Sequence, residues 1–326
     1  MPANIIKLLH DLINGSRNAL AKSITLVESN NAEHRKYSQF LLTECLKNLK
    51  TRPPLFLKSK RFALDVETYK QPKTLRIGLS GAPGVGKSTF IESFAMSLVN
   101  EGYKVAVLTR MYNLSRQDRA YVRPTPSRGT LGGVARNTHE SIVMCEAAGY
   151  DIILVETVGV GQSETLVADM VDIFALLVPP AGGDELQKGI MELSDLVVVN
   201  KADGELINTA RRAQIEYLSA LKYMKRNSKV YMASSITGKG INEVWEGINE
   251  YYFLTVSEAK EKMDLLDGQE SIDWDVNINS GFKRLQENSE VKSIKPILDK
   301  LLENDELTAS QAADRIIEIF FNSINK

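Results

Sequence analysis

The sequence predicts an α/β protein built on a doubly wound, mostly parallel sheet. Two observations predict this class. Short apolar runs alternate with helical patterns after Pro72, and the first of these runs leads into a glycine-rich turn that opens a helix. The composition agrees, since 43% of the 326 residues are hydrophobic and 25% are charged. Such values are typical of globular chains and exclude global disorder or a fibrous repeat.

The strand-like runs occupy the middle of the chain. They are Leu75–Leu79, Lys104–Leu108, Asp151–Val155, Ile173–Val178, Leu196–Val199 and Lys229–Met232. Alternation of such runs with helical stretches is typical of parallel sheets, which bind ligands at the carboxyl ends of their strands. We therefore expect the functional residues immediately after these runs.

Both ends of the chain are predicted to be helical. Apolar residues recur at three-to-four spacing from Ile5 to Ser29, which favours one amphipathic helix or a helix pair broken near Gly15. A second such stretch covers residues 33–49, and three prolines between residues 51 and 73 indicate a linker. The predicted division is an N-terminal helical arm with its linker, an α/β domain and a C-terminal helical extension, over residues 1–73, 74–254 and 255–326.

Charge and cysteine content exclude several classes of protein. The chain has 40 Lys and Arg against 41 Asp and Glu, a net charge of −1, which argues against nucleic acid as the main partner. Cys45 and Cys145 are too few for a disulfide framework, so we expect a reducing compartment. The longest apolar runs are too short to cross a bilayer, so no membrane partner is expected.

The glycine-rich turn after the first run predicts a nucleotide site. It matches the pattern G-x-x-x-x-G-K-[ST], follows the run Leu75–Ser80 and opens a helix over Ser88–Asn100. In this pattern backbone N–H groups surround the phosphates and the helix dipole favours negative charge. We expect Lys87 to reach the β- and γ-phosphates and Ser88 to bind Mg²⁺. The predicted phosphate site comprises Gly81, Ala82, Pro83, Gly84, Val85, Gly86, Lys87, Ser88 and Thr89. The fold is therefore predicted to be that of a P-loop NTPase.

A second motif predicts that the base is guanine. Leu196–Val199 is followed by Asn200-Lys201-Ala202-Asp203. A carboxylate at this edge can accept from N1–H and the exocyclic amine of guanine, whereas adenine has no hydrogen on N1. The alternative for Asp203 is a helix N-cap.

The other residues of the base site follow from the same arrangement. We expect Asn200 to hold the loop and approach the other edge of the base, and the Lys201 stem to cover the ring. Ser234, Ser235 and Ile236, which follow the next run, resemble the loop that backs the base in GTPases. The predicted bound nucleotide is therefore GTP or GDP.

An acidic residue after the third run predicts the switch of a GTPase. Glu156 directly follows this run, and Gly159 completes the pattern acid-x-x-Gly. In GTPases the acid of this pattern acts at Mg²⁺, and the glycine amide senses the γ-phosphate. Gln162 either positions water or only orders the loop. The predicted catalytic residues are Lys87, Glu156, Gly159 and Gln162, and the predicted metal ligands are Ser88 and Glu156.

Three segments carry a resemblance to a known family. Residues 156–164, with residues 128–138 upstream and 183–187 downstream, resemble the methylmalonyl-CoA mutase-associated GTPase chaperones, which comprise the methylmalonic aciduria type A proteins and their bacterial counterparts. The resemblance covers nearly the whole chain. It implies a P-loop domain with helical extensions at both ends, and a homodimer supported by the C-terminal extension.

The resemblance also implies a function. Members use GTP binding and hydrolysis to gate adenosylcobalamin loading onto methylmalonyl-CoA mutase, and they help to protect or reactivate that enzyme. The implied compartment is the mitochondrial matrix in a eukaryote, which we favour, or the cytoplasm in a bacterium.

The chain departs from the family pattern in its loops. It is shorter after Leu108, where two acids of the metal site and first switch are missing, after Gln187, and near Ser228. Either the natural protein carries further residues there, which we favour because two gaps coincide with switches, or the polypeptide lacks them and hydrolyses GTP poorly. An intact mass of 36.3 kDa would exclude the first explanation.

Three other functions compete with the mutase chaperone. One is a kinase on a P-loop scaffold, which the guanine motif disfavours. Another is a nucleotide-gated dimeric scaffold with little hydrolysis, which would follow from genuine loop gaps. The last is a GTPase that matures another metalloenzyme, although such proteins typically carry clustered Cys and His ligands that this chain lacks.

Overall fold

The structure is a computed structural model of the chain. It describes residues 1–29, 31–52, 55, 73–109, 117–123, 131–157, 163–181, 186–224, 228–265, 289–304, 307, 312, 315–316 and 319. The strands are β1 (Leu75–Gly81), β2 (Val105–Leu108), β3 (Ala120–Arg123), β4 (Ile152–Glu156), β5 (Ile173–Val178), β6 (Leu196–Val199) and β7 (Lys229–Met232). The helices are α1 (Ala3–Ile13), α2 (Arg17–Val27), α3 (Ala32–Thr51), α4 (Lys87–Asn100), α5 (Leu131–Ala147), α6 (Ser163–Ala168), α7 (Leu186–Leu193), α8 (Ile207–Tyr223), α9 (Ile241–Leu265) and α10 (Ser289–Glu303).

The described strands form one parallel sheet. Their order is β3-β2-β4-β1-β5-β6-β7, so β1 lies at the centre and the chain winds outward in both directions. β1 pairs in parallel with β4 on one side and with β5 on the other. The prediction of a doubly wound parallel sheet is confirmed.

Successive side chains along each strand point to opposite faces of the sheet, so the hydrophobic core is divided between the two faces. Ile152 and Leu154 face a cluster that includes Phe90, Phe94 and Trp245 from α4 and α9. The intervening residues of β4 face α5 and the N-terminal helices. Because both faces are covered, β2, β5 and β6 are apolar at every position rather than at every second one.

The N-terminal helices begin and end where local chemistry predicts. Gly15 has φ of 80° and lies between α1 and α2, so the second of the two alternatives, a helix pair broken near Gly15, is the observed one. Ser16 caps α2 by accepting a hydrogen bond from the Ala19 amide at 3.3 Å. Asn31 caps α3 by accepting from the Glu33 amide at 2.8 Å.

These three helices pack on the α/β domain. Leu12, Leu20 and Leu42 are fully buried in the same cluster as Ile153 of β4. The predicted arm is therefore helical, and its apolar side completes one face of the sheet. The boundaries at residues 73 and 254 stay a prediction.

Sequence patterns missed one strand. β3 comprises four residues at the edge of the sheet, and it pairs with β2 alone among the described strands. Ala120 and Tyr121 are buried, whereas Val122 and Arg123 are half-exposed, so the apolar run is too short to stand out. Arg123 forms an ion pair at 2.5 Å with Glu28, the C-cap residue of α2, which joins this edge strand to the N-terminal helices.

The C-terminal region contains a helix with its own apolar cluster. Leu298 of α10 is buried with Leu307 and Ala312, while Ile297 on the same helix is 55% exposed. Among the described residues, no helix is both long and apolar enough to cross a membrane.

Candidate nucleotide-binding site

The predicted site residues that are described lie at or beyond the carboxyl edge of the sheet. β1, β4, β6 and β7 run in the same direction, so the segments that follow them emerge at one edge. The turn after β1, the acid ending β4, and the loops after β6 and β7 are thereby brought together.

The turn after β1 has the backbone of a phosphate cradle. Gly86 is the N-cap of α4 with φ of 90°, a conformation that side chains other than glycine rarely adopt. A Cβ atom there would also lie 2.9 Å from Nδ2 of Asn200. At Gly81, a Cβ atom would collide with the carbonyl oxygen of Leu177 on β5. Glycine is therefore favoured at position 81 by the close approach of the β5 backbone, and at position 86 by its φ and by the nearby side chain of Asn200.

Lys87 lies over the cradle in the first turn of α4. Its ammonium donates to the carbonyl oxygens of Gly81 at 2.5 Å and Ala82 at 3.3 Å. Burial lowers the pKa of Lys87, and the charges of Glu156 and Glu164 partly offset this effect. Both carboxylates therefore lie close enough to influence the Lys87 ammonium, which the sequence predicts to bind the phosphates.

The loop after β6 is tied to the phosphate loop. Asn200 is buried, and its Nδ2 donates to the carbonyl of Val85 at 3.0 Å. Ser235 donates to Oδ1 of Asn200 at 2.7 Å. Both polar atoms of Asn200 thus join loops within the protein, which agrees with its predicted loop-holding role. Its predicted approach to the base has no counterpart among these contacts.

Lys201 also joins the loop after β6 to the phosphate loop. It has φ of 57°, unusual for a residue other than glycine, and its ammonium donates to the carbonyl of Gly84 at 2.8 Å. The side chain is exposed, so its aliphatic stem lies at the surface between the base loop and the phosphate loop. This placement is compatible with the predicted cover over the ring.

Asp203 is held by the loop after β7. The hydroxyl of Ser234 donates to Oδ2 of Asp203 and accepts from the Thr237 amide at 3.1 Å. Asp203 is half-exposed, so the carboxylate is oriented by a fixed hydroxyl while remaining accessible. Ile236 is 82% exposed at the tip of the same loop. The weak sequence signal at residues 234–236 therefore points to a loop that contacts Asp203 directly.

The two residues predicted to bind Mg²⁺ both lie at this edge. Ser88 lies exposed in the first turn of α4, and Glu156 ends β4 near Lys87. A hydroxyl and one carboxylate fit Mg²⁺, which usually takes one or two protein oxygens and completes its shell with phosphate and water. The donor set present is therefore suitable for the predicted metal.

The remaining switch residues fall outside the structural description. Gly159 and Gln162 lie outside the described residues, as do residues 110–116 after the predicted gap at Leu108. Their roles stay predictions.

Sequence reasoning gave no role to three groups at this edge. Thr109 donates its hydroxyl to Glu156, Thr157 donates to Ser80 at 2.9 Å, and Glu164 is fully buried in the first turn of α6. The sequence signal that could have identified Thr109 as a site residue is its position directly after β2, at the edge of the sheet where ligands bind.

Comparison with known proteins identifies the family. Residues 58–280 match the family model described as methylmalonyl Co-A mutase-associated GTPase MeaB. The chain belongs to this family. The GTPase prediction is thereby confirmed, as is the family resemblance inferred from the switch motif.

Relatives and a solved structure match this MeaB-family GTPase over most of its length. The methylmalonic aciduria type A homolog, mitochondrial, of Mus musculus is 40% identical over 339 residues, which cover 96% of this chain and 79% of the relative. A protein of Caulobacter vibrioides named as a GTPase is 38% identical, with 97% and 98% covered. The crystal structure of a LAO/AO transport system kinase is 32% identical with a TM-score of 0.64, and 98% of each chain is covered.

The mouse alignment also bears on the loops. It extends over 339 residues, whereas this chain has 326 in all. The relative therefore contains residues without a counterpart here, in agreement with the predicted shortening.

Proposed function

We propose that this MeaB-family GTPase is a chaperone of methylmalonyl-CoA mutase. In this role it gates the loading of adenosylcobalamin onto the mutase and helps to protect or reactivate the enzyme. The main support is the family match over residues 58–280, because the family is described as associated with this mutase. The name of the mouse relative gives the compartment that we propose for a eukaryotic source, the mitochondrial matrix; for a bacterial source it is the cytoplasm.

The nucleotide is proposed to be GTP, read by Asp203. A carboxylate accepts from both N1–H and the exocyclic amine of guanine, and Ser234 holds it in place through Oδ2. Adenine presents no donor at N1, so it would leave this acceptor unpaired, which is costly in a partly closed site. This argument favours a GTPase over a kinase that uses ATP.

Phosphate binding is proposed to change the partners of Lys87. Its ammonium donates to two neutral carbonyl oxygens of the loop. A charged phosphate oxygen forms a shorter and stronger hydrogen bond to ammonium than a carbonyl does. We therefore expect Lys87 to move from these carbonyls to the β- and γ-phosphates when GTP binds.

Mg²⁺ is proposed to bind Ser88 and Glu156. The metal would neutralise charge on the β- and γ-phosphates during hydrolysis. In this arrangement Glu156 supplies a carboxylate to the cation, Ser88 supplies a hydroxyl, and Lys87 binds the phosphate oxygens. The amide of Gly159 is proposed to sense the γ-phosphate, while Gln162 is proposed to order the switch or position water.

One observation favours a second candidate, a nucleotide-gated dimeric scaffold with little hydrolysis. The chain is shorter than the mouse relative within the aligned region. If the missing residues include the first switch, GTP would still bind at the phosphate loop but water would be poorly positioned. The two candidates differ in turnover and agree in nucleotide binding.

A single experiment tests the chaperone proposal. The purified chain is mixed with methylmalonyl-CoA mutase, and binding and GTP turnover are measured with GDP, with a non-hydrolysable GTP analogue and without nucleotide. We expect nucleotide-dependent binding and faster GTP turnover in the complex. Absence of binding in every nucleotide state would refute the chaperone role, whereas binding without turnover would favour the scaffold.

The homodimer is proposed to form through the C-terminal extension. Ile297 of α10 is exposed beside the buried Leu298 cluster, as expected for a helix that packs on another subunit. Replacing Ile297 with Asp should convert a dimer to a monomer in light-scattering measurements, because a charge in an apolar interface is costly. An exposed polar control on the same helix, Lys295→Asp, should leave the dimer intact. A dimer that persists in Ile297→Asp would exclude this face.

A further inference from the structure

Thr109 and Glu156 are brought together by the register of two neighbouring strands. β2 pairs in parallel with β4, and Leu108 lies opposite Val155 at the end of the ladder. The next residue of each strand therefore emerges at the same place on the carboxyl edge. Their contact follows from backbone pairing, so it does not depend on a long flexible side chain reaching across the surface.

The hydroxyl of Thr109 is committed to this carboxylate. It donates to Oε2 of Glu156, and Thr109 itself is only 5% exposed. An ionised carboxylate has about four acceptor positions, so one donor at Oε2 leaves Oε1 available to a cation. The contact thus orients Glu156 without consuming its capacity as a ligand.

The backbone on either side of this contact is also held. The amide of Thr157 donates to the carbonyl of Leu79 at 3.0 Å, and its hydroxyl donates to Ser80 at 2.9 Å. These bonds join the residue after Glu156 to β1, just before the phosphate loop. The main chain of Glu156 is therefore fixed, and the direction of its carboxylate is the degree of freedom that Thr109 controls.

A nearby cation makes that control useful. Glu156 acts electrostatically on Lys87, whose ammonium lies within the phosphate loop. A carboxylate free to rotate could turn toward this ammonium and form an ion pair. A hydrogen bond from the Thr109 hydroxyl on the neighbouring strand restrains such a rotation, because β-branched threonine has few rotamers.

The geometry points to Thr109 as a positioning residue that sets the affinity of the nucleotide site for Mg²⁺ by orienting Glu156. This inference rests on the proposed function, since it requires Mg²⁺ to bind beside a guanine nucleotide. It assigns Thr109 no contact with nucleotide or metal. Groups that orient a ligand of a metal commonly affect metal affinity by 10- to 100-fold.

The test compares Thr109→Val with Thr109→Ser. Valine keeps the shape and removes the hydroxyl, whereas serine keeps the hydroxyl. The probe is fluorescent mant-GDP: its affinity is measured in EDTA, and MgCl₂ is then titrated to find the concentration that gives half of the Mg²⁺-dependent change. We expect Thr109→Val to raise this concentration by roughly tenfold or more, with EDTA affinity within about twofold of wild type. Thr109→Ser should remain within about threefold of wild type.

Thr74→Val is the matched control. Thr74 is another buried threonine, 7% exposed, and its hydroxyl donates to the carbonyl of Tyr150 at the opposite edge of the sheet. The Thr74→Val variant should have a lower melting temperature and an unchanged midpoint in the Mg²⁺ titration. Should Thr109→Val fail to fold, Thr109→Ala replaces it.

Two outcomes would overturn the inference. One is a Mg²⁺ midpoint in the hydroxyl-free variant within about twofold of wild type, and the other is an equal shift in Thr109→Ser. If wild type itself fails to bind mant-GDP, the proposed nucleotide function fails, which is a different result.

Discussion

The two edges of the sheet hold their charged side chains in different ways. At the amino edge, cations meet carboxylates: Arg76 pairs with Glu146 at 2.7 Å, and Arg52 pairs with Asp151 at 3.3 Å. Around the phosphate loop at the carboxyl edge, cations meet neutral carbonyls: Lys87 and Lys201 donate to oxygens of this loop. Carboxylates form the stronger hydrogen bonds with cations. Arg76 and Arg52 are therefore satisfied within the protein, whereas Lys87 and Lys201 can exchange a carbonyl for a phosphate.

The amino edge is also more extensively joined. The same Arg52 guanidinium donates to Thr74 at 2.9 Å and to the carbonyls of Glu146 and Tyr150 at 2.8 and 3.0 Å. These bonds tie the residue after α3 to α5 and to the starts of β1 and β4. The amino edge thus holds several elements of the fold together, while the phosphate loop leaves its cations able to accept a charged ligand. Substitutions at these two places should therefore separate stability from nucleotide binding.

The largest expected effect is at the carboxyl edge. Lys87→Ala should reduce GTP turnover by roughly 100-fold or more, because one preorganised donor to developing charge is lost. The free energy of unfolding should change little, since the partners of Lys87 are carbonyls. Phosphate release and urea unfolding measure the two quantities. The control is Lys47→Ala, which removes the cation of a surface ion pair with Glu44. Normal turnover in Lys87→Ala would refute the assignment of Lys87 to the nucleotide site.

The next effect is at the amino edge. Arg76→Ala should lower the free energy of unfolding by about 2–3 kcal/mol, because it leaves the buried Glu146 carboxylate without its charge partner. Turnover per folded molecule should be retained. Urea unfolding of Lys47→Ala, whose pair is largely exposed, should stay within about 0.5 kcal/mol of wild type. A similarly small change in Arg76→Ala would remove the distinction between the edges.

A smaller effect concerns the choice of base. Asp203→Asn should weaken GTP binding by roughly tenfold, because an amide N–H₂ replaces one acceptor. Xanthosine triphosphate carries an oxygen where guanine carries the amine, so its binding should improve relative to GTP. Competition against mant-GDP measures both affinities. Glu205→Gln, an exposed neighbour, serves as the control, and an unchanged GTP-to-XTP ratio in Asp203→Asn would contradict base reading by this carboxylate.

The smallest effect is a pH dependence of the amino edge. Burial raises the pKa of Glu146 above its ordinary value of 4.5, and Arg76 only partly offsets this. The folded state therefore binds this proton more readily than the unfolded state. Raising the pH from about 4.5 through the raised pKa should lower the contribution of Glu146 to stability, and lowering the pH should restore it.

This pH dependence is isolated by one comparison. Urea midpoints of wild type and Glu146→Gln are measured between about pH 4.5 and 7.5, and wild type should gain relative to the variant as the pH falls. Glu44→Gln, on the exposed surface pair, corrects for general effects of pH. A difference that is constant over this range would show that Glu146 does not titrate differently in the two states.

Much of the fold could be predicted from local patterns. Ile173–Val178, Leu196–Val199 and Lys229–Met232 are strands with the predicted bounds, because apolar runs bounded by turn residues are a local property. The break at Gly15 was one of two alternatives, because glycine signals a possible helix end without requiring one. β3 was missed because an edge strand needs few apolar residues, and its pairing with β2 depends on the rest of the sheet.

The candidate site divides in the same way. The phosphate loop and the Asn200–Asp203 motif are contiguous in sequence, so their residue types and spacing are enough to predict a chemistry for them. The bonds from Ser234 to Asp203 and from Thr109 to Glu156 join separate loops. Spacing along the chain does not indicate such contacts.

By itself, the sequence determined the fold class, the phosphate loop, the guanine motif and the family, since each is written in consecutive residues. Only the tertiary structure decided the strand order β3-β2-β4-β1-β5-β6-β7 and the register that places Thr109 beside Glu156. The physical reason is that strand neighbours are chosen by burial of both sheet faces and by backbone pairing, which depend on the whole chain. Local periodicity specifies a strand without specifying its partner.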